Sequence, residues 1–249
     1  MQVPIAIQIS AGLGALGCTA AGYAYAAMVP GSRIFGRALI APRKPGELAL
    51  TFDDGPNPAW TPKLLDILAG RQVRATFFLV GRYAQAEPAL VQRIHAEGHL
   101  IGNHSWSHPN LAITRAKRIR EELTKTRDQL HQILGTEIRW FRPPFGGKRP
   151  DVLRIARELG MTPVLWNAIT NDWSEPEPER IARRLSVKIG RNQRRGWATN
   201  IVLHDGGHLE LGANRGPSVA AAERLLANYA ATHRFVRLDA WADEPGSKP

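Results

Sequence analysis

Two adjacent carboxylates, Asp53 and Asp54, stand at the end of the apolar run Leu48–Phe52 and just before Gly55-Pro56. Neighbouring side chains on an extended chain point opposite ways, so both can serve one site only if the backbone twists there. Taken alone, Asp-Asp-Gly-Pro is equally an ordinary turn. His104 and His108 follow in His-Ser-Trp-Ser-His-Pro. Histidines at i and i+4 can face one metal ion across a single helical turn. A carboxylate from elsewhere would complete a two-histidine, one-carboxylate set. Three protein ligands leave a position open for water, which separates a catalytic metal from a structural one. Three further polar blocks are Arg142-Pro143-Pro144-Phe145-Gly146, Asn171-Asp172-Trp173 and Leu203-His204-Asp205-Gly206. Singly, each is unremarkable.

The elements that must position these residues alternate between strand and helix patterns. Leu48–Phe52, Ala75–Val80, His99–Asn103, Ile138–Phe141, Thr162–Trp166, Asn200–Leu203 and Phe235–Leu238 read as strands. Helical patterns cover Pro88–Glu97, Arg115–Leu134, Asp151–Leu159, Pro178–Ile189 and Ser218–Tyr229. A further helix starts at Thr61 as N-cap with Pro62 in its first turn, and stops at Gly70. Repeated β-then-α order predicts a parallel sheet, open or closed into a barrel. Each polar block lies at or just beyond the end of a predicted strand, where α/β barrels build active sites.

Together, in this order and spacing, the five blocks resemble the NodB-homology polysaccharide deacetylases, carbohydrate esterase family four. The resemblance runs from about Leu48 to Leu238. It implies a distorted (β/α) barrel, here preceded by a hydrophobic N-terminal helix, and hydrolysis of acyl groups on carbohydrates with a divalent metal. Zinc is the first expectation, with cobalt, nickel or manganese also suited to two His and one Asp. Carried over residue by residue, Asp54, His104 and His108 match the metal ligands and Asp53 the general base. Arg142 matches the arginine that orients the base, His204 the general acid, and Asp172 the carboxylate partnering that histidine. Trp173 matches a groove-lining aromatic and Leu203 a residue of the acetyl pocket. The chemistry adds the Phe145 N–H, after the Pro-Pro turn, as a donor to the oxyanion. Trp106, inside the histidine block, is expected to line the site. The chemistry is consistent with these roles. A carboxylate off the metal can take a proton from water, and Asp172 would favour protonated His204. His95 and His131 read as surface residues. His208 reads as a loop residue outside the metal set, because Gly206-Gly207 separates it from His204. Where the family often has Asp in its fourth block, this chain has Ile169.

The leading expectation is removal of N-acetyl groups from peptidoglycan or chitin-like glycans, acting on a carbon–nitrogen but not a peptide bond. Deformylation of a lipid-linked amino sugar and xylan O-deacetylation use the same chemistry. A catalytically silent carbohydrate-binding domain is the reading from a different class, and it fits the retained chemical residues badly.

Composition bounds the rest. The 249 residues are 43% hydrophobic and 22% charged, enough for one large α/β domain. One cysteine, Cys18, excludes an intrachain disulfide framework and a cysteine zinc site. The net charge of +11 favours anionic partners such as an acidic wall polymer. No nucleic-acid motif accompanies it, so a glycan substrate is expected and nucleic acid is not. Residues 1–32 form a hydrophobic segment with no charged side chain before Arg33. Val3–Val29 is long enough to span a bilayer, so a membrane anchor is expected, with a cleaved signal or a soluble appendage as the alternatives. The chain is then membrane-associated or extracytoplasmic, although the basic residues after the segment would favour the cytoplasmic face. Residues 33–46 read as a linker, 47–241 as a catalytic domain acting as a monomer, and 242–249 as a flexible tail.

Overall fold

Strand β1 (Glu47–Gly55) is buried along all nine residues, its largely apolar stretch Leu48–Phe52 as expected of a central strand in a parallel sheet covered on both faces. It is the axis of the fold. The computed structural model describes residue 19 and residues 21–242. A helix α1 occupies residues 21–28. After β1 the order is α2 (Thr61–Gly70), β2 (Thr76–Leu79), α3 (Gly81–Ala86), α4 (Pro88–Ala96) and β3 (Leu100–Asn103). Then come α5 (Ala116–Leu134), β4 (Trp140–Phe141), α6 (Pro150–Glu158), β5 (Thr162–Pro163) and β6 (Ala168–Ile169). The chain closes with α7 (Pro178–Arg194), β7 (Thr199–His204), α8 (Gly216–Tyr229) and β8 (Arg234–Phe235).

The sheet runs β5-β4-β3-β2-β1-β7-β6, with β8 also pairing β1. The strand pairs are parallel. This is the parallel sheet predicted by the strand–helix alternation, in the distorted-barrel form that the family resemblance implies, left open between β5 and β6. The period of two along each strand sorts side chains into two layers. Leu48, Leu50, Phe52, Phe77, Leu79, Ile201 and Leu203 pack beneath the helices with Leu64, Leu65 and Leu68. Ala49, Phe78, Trp140, Val164 and Trp241 fill the other face. Helix α5 shows why the sequence pattern was readable: Ile119, Leu123, Thr126 and Leu130 form its buried stripe, and Gly135 ends it at φ 67°.

The N-terminal part is fastened to the barrel. The stretch read as a linker carries Leu39, which bridges to Val164 beside β5 and is 4% exposed. Lys148 donates from its ammonium to the carbonyls of Val29, Pro30 and Ser32 at 2.7–3.0 Å. Burial pushes that amine down to about 8. Ala26 and Ala27 are buried, and the Tyr23 hydroxyl donates to the Ala112 carbonyl. Most of Val3–Val29 lies outside the described residues. Among the described residues no helix is long and apolar enough to cross a membrane.

A cut before Pro42 therefore removes a docked strap, which makes it a different operation from trimming a free linker. A chain beginning at residue 20 is the reference for one beginning at Pro42. A chain beginning at Pro42 loses the burial of Leu39 and three acceptors of a buried ammonium. That loss is on the order of 3 kcal/mol, or roughly 6–12 °C for a domain of this size. Thermal melts of the two truncations check it, and equal melting temperatures would show that the strap contributes nothing.

Candidate active site

The polar blocks converge at the C-terminal rim of the strands. β1 delivers Asp53 and Asp54. The required twist falls on Asp54 itself, at φ 70°, where the β1–β2 register slips between Asp53 and Gly55. Left-handed backbone is uncommon for a non-glycine residue. Of the five such residues in the described chain, Asp54, Ser105, His108 and Phe145 belong to this rim and only Gln72 lies elsewhere. Such concentration marks a site whose surroundings over-determine the backbone.

His104 and His108 are not on a helix, as the i,i+4 spacing suggests, but on the loop leaving β3. Positive φ at Ser105 and His108 folds that loop so that both rings face the same point. The loop is held from beneath. The Glu122 carboxylate on α5 accepts the N–H groups of Trp106 and Ser107 and the Ser107 hydroxyl at 2.7–2.9 Å. Asn103 accepts the Ser105 N–H, and the Ser105 hydroxyl oxygen accepts the His108 N–H. The His104 Nδ1–H donates to the Arg142 carbonyl at 2.7 Å, which fixes the tautomer and turns the Nε2 lone pair inward.

Asp54, His104 and His108 form a buried group whose ligand atoms all lie within 4.8 Å of one another. Asp54 Oδ1 is 3.4 Å from His104 Nε2 and 3.1 Å from His108 Nε2, yet it is aligned for no hydrogen bond. Ligands 2.0–2.1 Å from one tetrahedral ion stand about 3.4 Å apart. These residues therefore fit a metal ion better than a proton bridge. Burial works to raise the Asp54 carboxyl, but His104, His108 and His208 more than reverse it and hold it well below the usual range. Burial lowers His108. Ionised aspartate and neutral imidazole are the forms that bind metal.

Asp53 stays beside the cluster. Its Oδ1 accepts the Arg142 guanidinium at 2.7 Å, while its Oδ2 lies 3.9 Å from His104 Nε2. Arg142 is fully buried, donates also to Thr51 and Asn200, and lies over the Phe78 ring at 4.2 Å. On the neighbouring strand His204 pairs in register with Asp53. The His204 Nδ1–H donates to Asp172 Oδ1 at 3.0 Å, and its main-chain N–H donates to Oδ2 at 2.8 Å. The Ser218 hydroxyl at the start of α8 also donates to Oδ2. Burial alone would lower His204, but the charge and hydrogen bond of Asp172, with help from Asp54 and Asp53, push it up to about 9.

Trp173 stands edge-on to His204 at 5.2 Å and Phe145 edge-on to His108 at 4.7 Å, both about half exposed at the mouth. Two sequence expectations are corrected. Leu203 points to the opposite pleat and packs in the layer beneath the helices. The period of two puts Val202, two residues before His204, on the His204 face instead. Trp106 turns away as well: its ring lies under Lys125 at 3.8 Å and closes on Gly81, between α3 and α5. Trp166 comes nearer than Trp106, against Gly146 and 5.7 Å from the Arg142 guanidinium.

Sequence reasoning missed His208, which is drawn into the site. It stacks on His108 at 4.5 Å, and its Nδ1 lies 3.7 Å from Asp54 Oδ2. It also missed Asp205, buried and pushed up to about 7 by that burial, whose carboxylate accepts the Thr61 hydroxyl. Thr61 so serves Asp205 and the Asn57 N–H, and Trp60 holds the N-cap position expected of it. Glu122 and Asn200 carried a usable signal, being polar residues at buried positions of an apolar pattern.

A carboxylate and a protonated imidazole flanking three residues able to hold a metal ion are what amide hydrolysis needs, and the class that fold and site define is a barrel hydrolase. The polysaccharide deacetylase family model matches residues 41–164. The chain belongs to that family. It is 40% identical over 176 residues to the peptidoglycan-N-acetylglucosamine deacetylase of Bacillus cereus, covering 70% of this chain and 62% of that protein. It is 35% identical to the chitooligosaccharide deacetylase of Sinorhizobium fredii, covering 71% of this chain and 82% of that one. Among solved structures it resembles the Bc1960 peptidoglycan N-acetylglucosamine deacetylase, at TM-score 0.71 and 34% identity over 82% of this chain and 91% of the other. It equally resembles a carbohydrate esterase family four pseudoenzyme from Bacillus anthracis, at TM-score 0.72 and 26% identity over 82% and 68%. Shared fold alone therefore does not decide activity; the site residues must.

Proposed function

We propose that the chain is a metal-dependent deacetylase of N-acetylglucosamine units in peptidoglycan or chitin-like oligosaccharides. One observation carries this reading: Asp53, tied to Arg142 on one oxygen, presents the other toward the Asp54–His104–His108 cluster, with His204 in register beside it. Asp54, His104 and His108 would hold a divalent metal, zinc first, which would supply Lewis-acid polarisation of the amide carbonyl and activation of water. The Asp53 Oδ2 takes the proton of the attacking water. Arg142 holds the Asp53 carboxylate in place through its Oδ1. The Phe145 N–H donates to the developing oxyanion. His204, held protonated by Asp172, gives its proton from Nε2 to the departing amine. Trp173 and Phe145 offer ring faces and edges to the sugar at the mouth.

An acidic wall polymer suits the charge of the chain. A cavity of about 520 Å³ at the open side of the barrel is lined by Arg33, Arg37, Lys188, Arg191 and Arg195, with no Asp or Glu. The uncharged run Val3–Val29 supports placement at a membrane. The wall-polymer substrate, and not that run, argues for a barrel outside the cytoplasm, against the cytoplasmic face that Arg33, Arg37, Arg43 and Lys44 favour.

The test is a panel of N-acetylated chitooligosaccharides and peptidoglycan fragments, assayed for free amine and acetate. Equal release of both is expected, lost on stripping the metal and restored by zinc. Turnover confined to N-formyl sugars or O-acetyl xylan would move the substrate class. No turnover of any acyl sugar by the metal-loaded chain would make it a silent member of the family.

A further inference from the structure

His208 comes to the metal cluster by construction. Gly206 lies so close to Asp54 that a Cβ there would sit 2.0 Å from the Asp54 carbonyl oxygen, and a Cβ on Gly207 would meet Ala213 and Arg215. The two glycines that suggest a loose loop are what let the chain pass against β1 and bring the next residue over the cluster. The backbone is then pinned at three successive carbonyls. Arg215 donates to that of Gly206 at 2.6 Å, the Tyr83 hydroxyl to that of Gly207 at 3.1 Å, and Arg82 to that of His208. The ring so delivered is nearly parallel to His108, with 23° between planes, and meets the Phe145 ring edge-on at 5.3 Å. Its Nδ1 faces Asp54 Oδ2, whereas His104 and His108 make their contacts with Oδ1. Its side chain is 35% exposed, so it stands between the cluster and solvent.

We infer that His208 is a positioning residue of the metal centre, donating from Nδ1–H to Asp54 Oδ2 so that only Oδ1 is offered to the ion. A small rotation of either side chain closes the present 3.7 Å to a hydrogen bond. A carboxylate held this way binds through one oxygen and keeps a coordination position open for substrate and water. Partners of ligating carboxylates typically contribute 10–100-fold in metal affinity. The ring also covers the outer face of His108, which keeps that imidazole from swinging out. This inference rests on the metal-dependent reading above.

Zinc affinity of the full chain, measured by competition with a chromophoric chelator, tests it without recourse to turnover. His208→Ala should weaken zinc binding by about 10–100-fold. His208→Asn, whose amide N–H stands where Nδ1–H stands, should recover most of that loss. The metal-free melting temperatures of both variants should match that of the unaltered chain. The cobalt-loaded His208→Ala variant should keep its visible absorption band, because the three ligands are unchanged. Unaltered affinity in His208→Ala overturns the inference and leaves the metal reading standing. A shifted cobalt band with no recovery in His208→Asn overturns it in favour of direct ligation. An equal fall in metal-free melting temperature in both variants shows a structural role instead. If the unaltered chain fails to bind zinc, the metal reading itself falls.

Discussion

Asp53→Asn is expected to retain the metal and lose roughly 10²–10⁴-fold in turnover, the range for one general acid–base group. The expectation follows from the backbone. Asp54, at φ 70°, turns its carboxylate to His104 and His108, while Asp53 remains in the regular part of the strand with Arg142 on its Oδ1. An amide in its place keeps the shape and can still accept from Arg142, but it has no basic oxygen for the proton of water. The substitution also leaves a fully buried guanidinium without its counter-charge. Breaking such a pair costs about 3–5 kcal/mol, so the melting temperature should fall as well. Zinc content, melting temperature and turnover must therefore be read together on one preparation. A folded, zinc-loaded Asp53→Asn within tenfold of the parent would remove Asp53 from the role of base. Loss of zinc would make it a ligand.

What was legible in the sequence was set by periodicity and by local chemistry. The run Leu48–Phe52 and the stripe of α5 announce themselves because burial on both faces, or on one helical face, dictates residue type at each position. Strands of two residues such as β4, β5 and β6 leave too little pattern to bound. The motif residues lie at strand ends as read, yet several local readings differ from the structure for separable reasons, the outward-turned Trp106 among them. His104 and His108 reach one point through left-handed residues in a loop, which spacing alone does not distinguish from a helical turn. Leu203 was one residue off, although the strand's period of two would have selected Val202. His208 was set aside because Gly206-Gly207 spells a loop. Glycine there meets a tertiary need, the passage of one backbone within contact of another, and no local pattern encodes it. The docked strap at Leu39 was hidden for the same reason, since a single bridge has no periodicity.

His204→Ala is expected to lose roughly 10²–10⁴-fold on N-acetyl sugars and less than about tenfold on an activated aryl ester. The difference lies in the leaving group. An amine must be protonated to depart, whereas a stabilised phenolate leaves unaided. The proton is available because Asp172, itself oriented by the Ser218 hydroxyl and the His204 main-chain N–H, overcomes burial and pushes the imidazolium up to about 9. His204 therefore carries its proton at neutral pH and gives it up only as pH rises through about 9. The amide rate of the unaltered enzyme should fall on that alkaline limb, and the ester rate should not follow it. Asp172→Asn removes the charge that opposes burial, so the same limb should move toward neutral pH while zinc affinity stays unchanged. Rates of both substrates against pH, for the parent and the two variants, decide the matter. If His204→Ala slowed amide and activated ester equally, the residue would be holding substrate rather than delivering a proton. If Asp172→Asn left the alkaline limb in place, that limb would belong to another group.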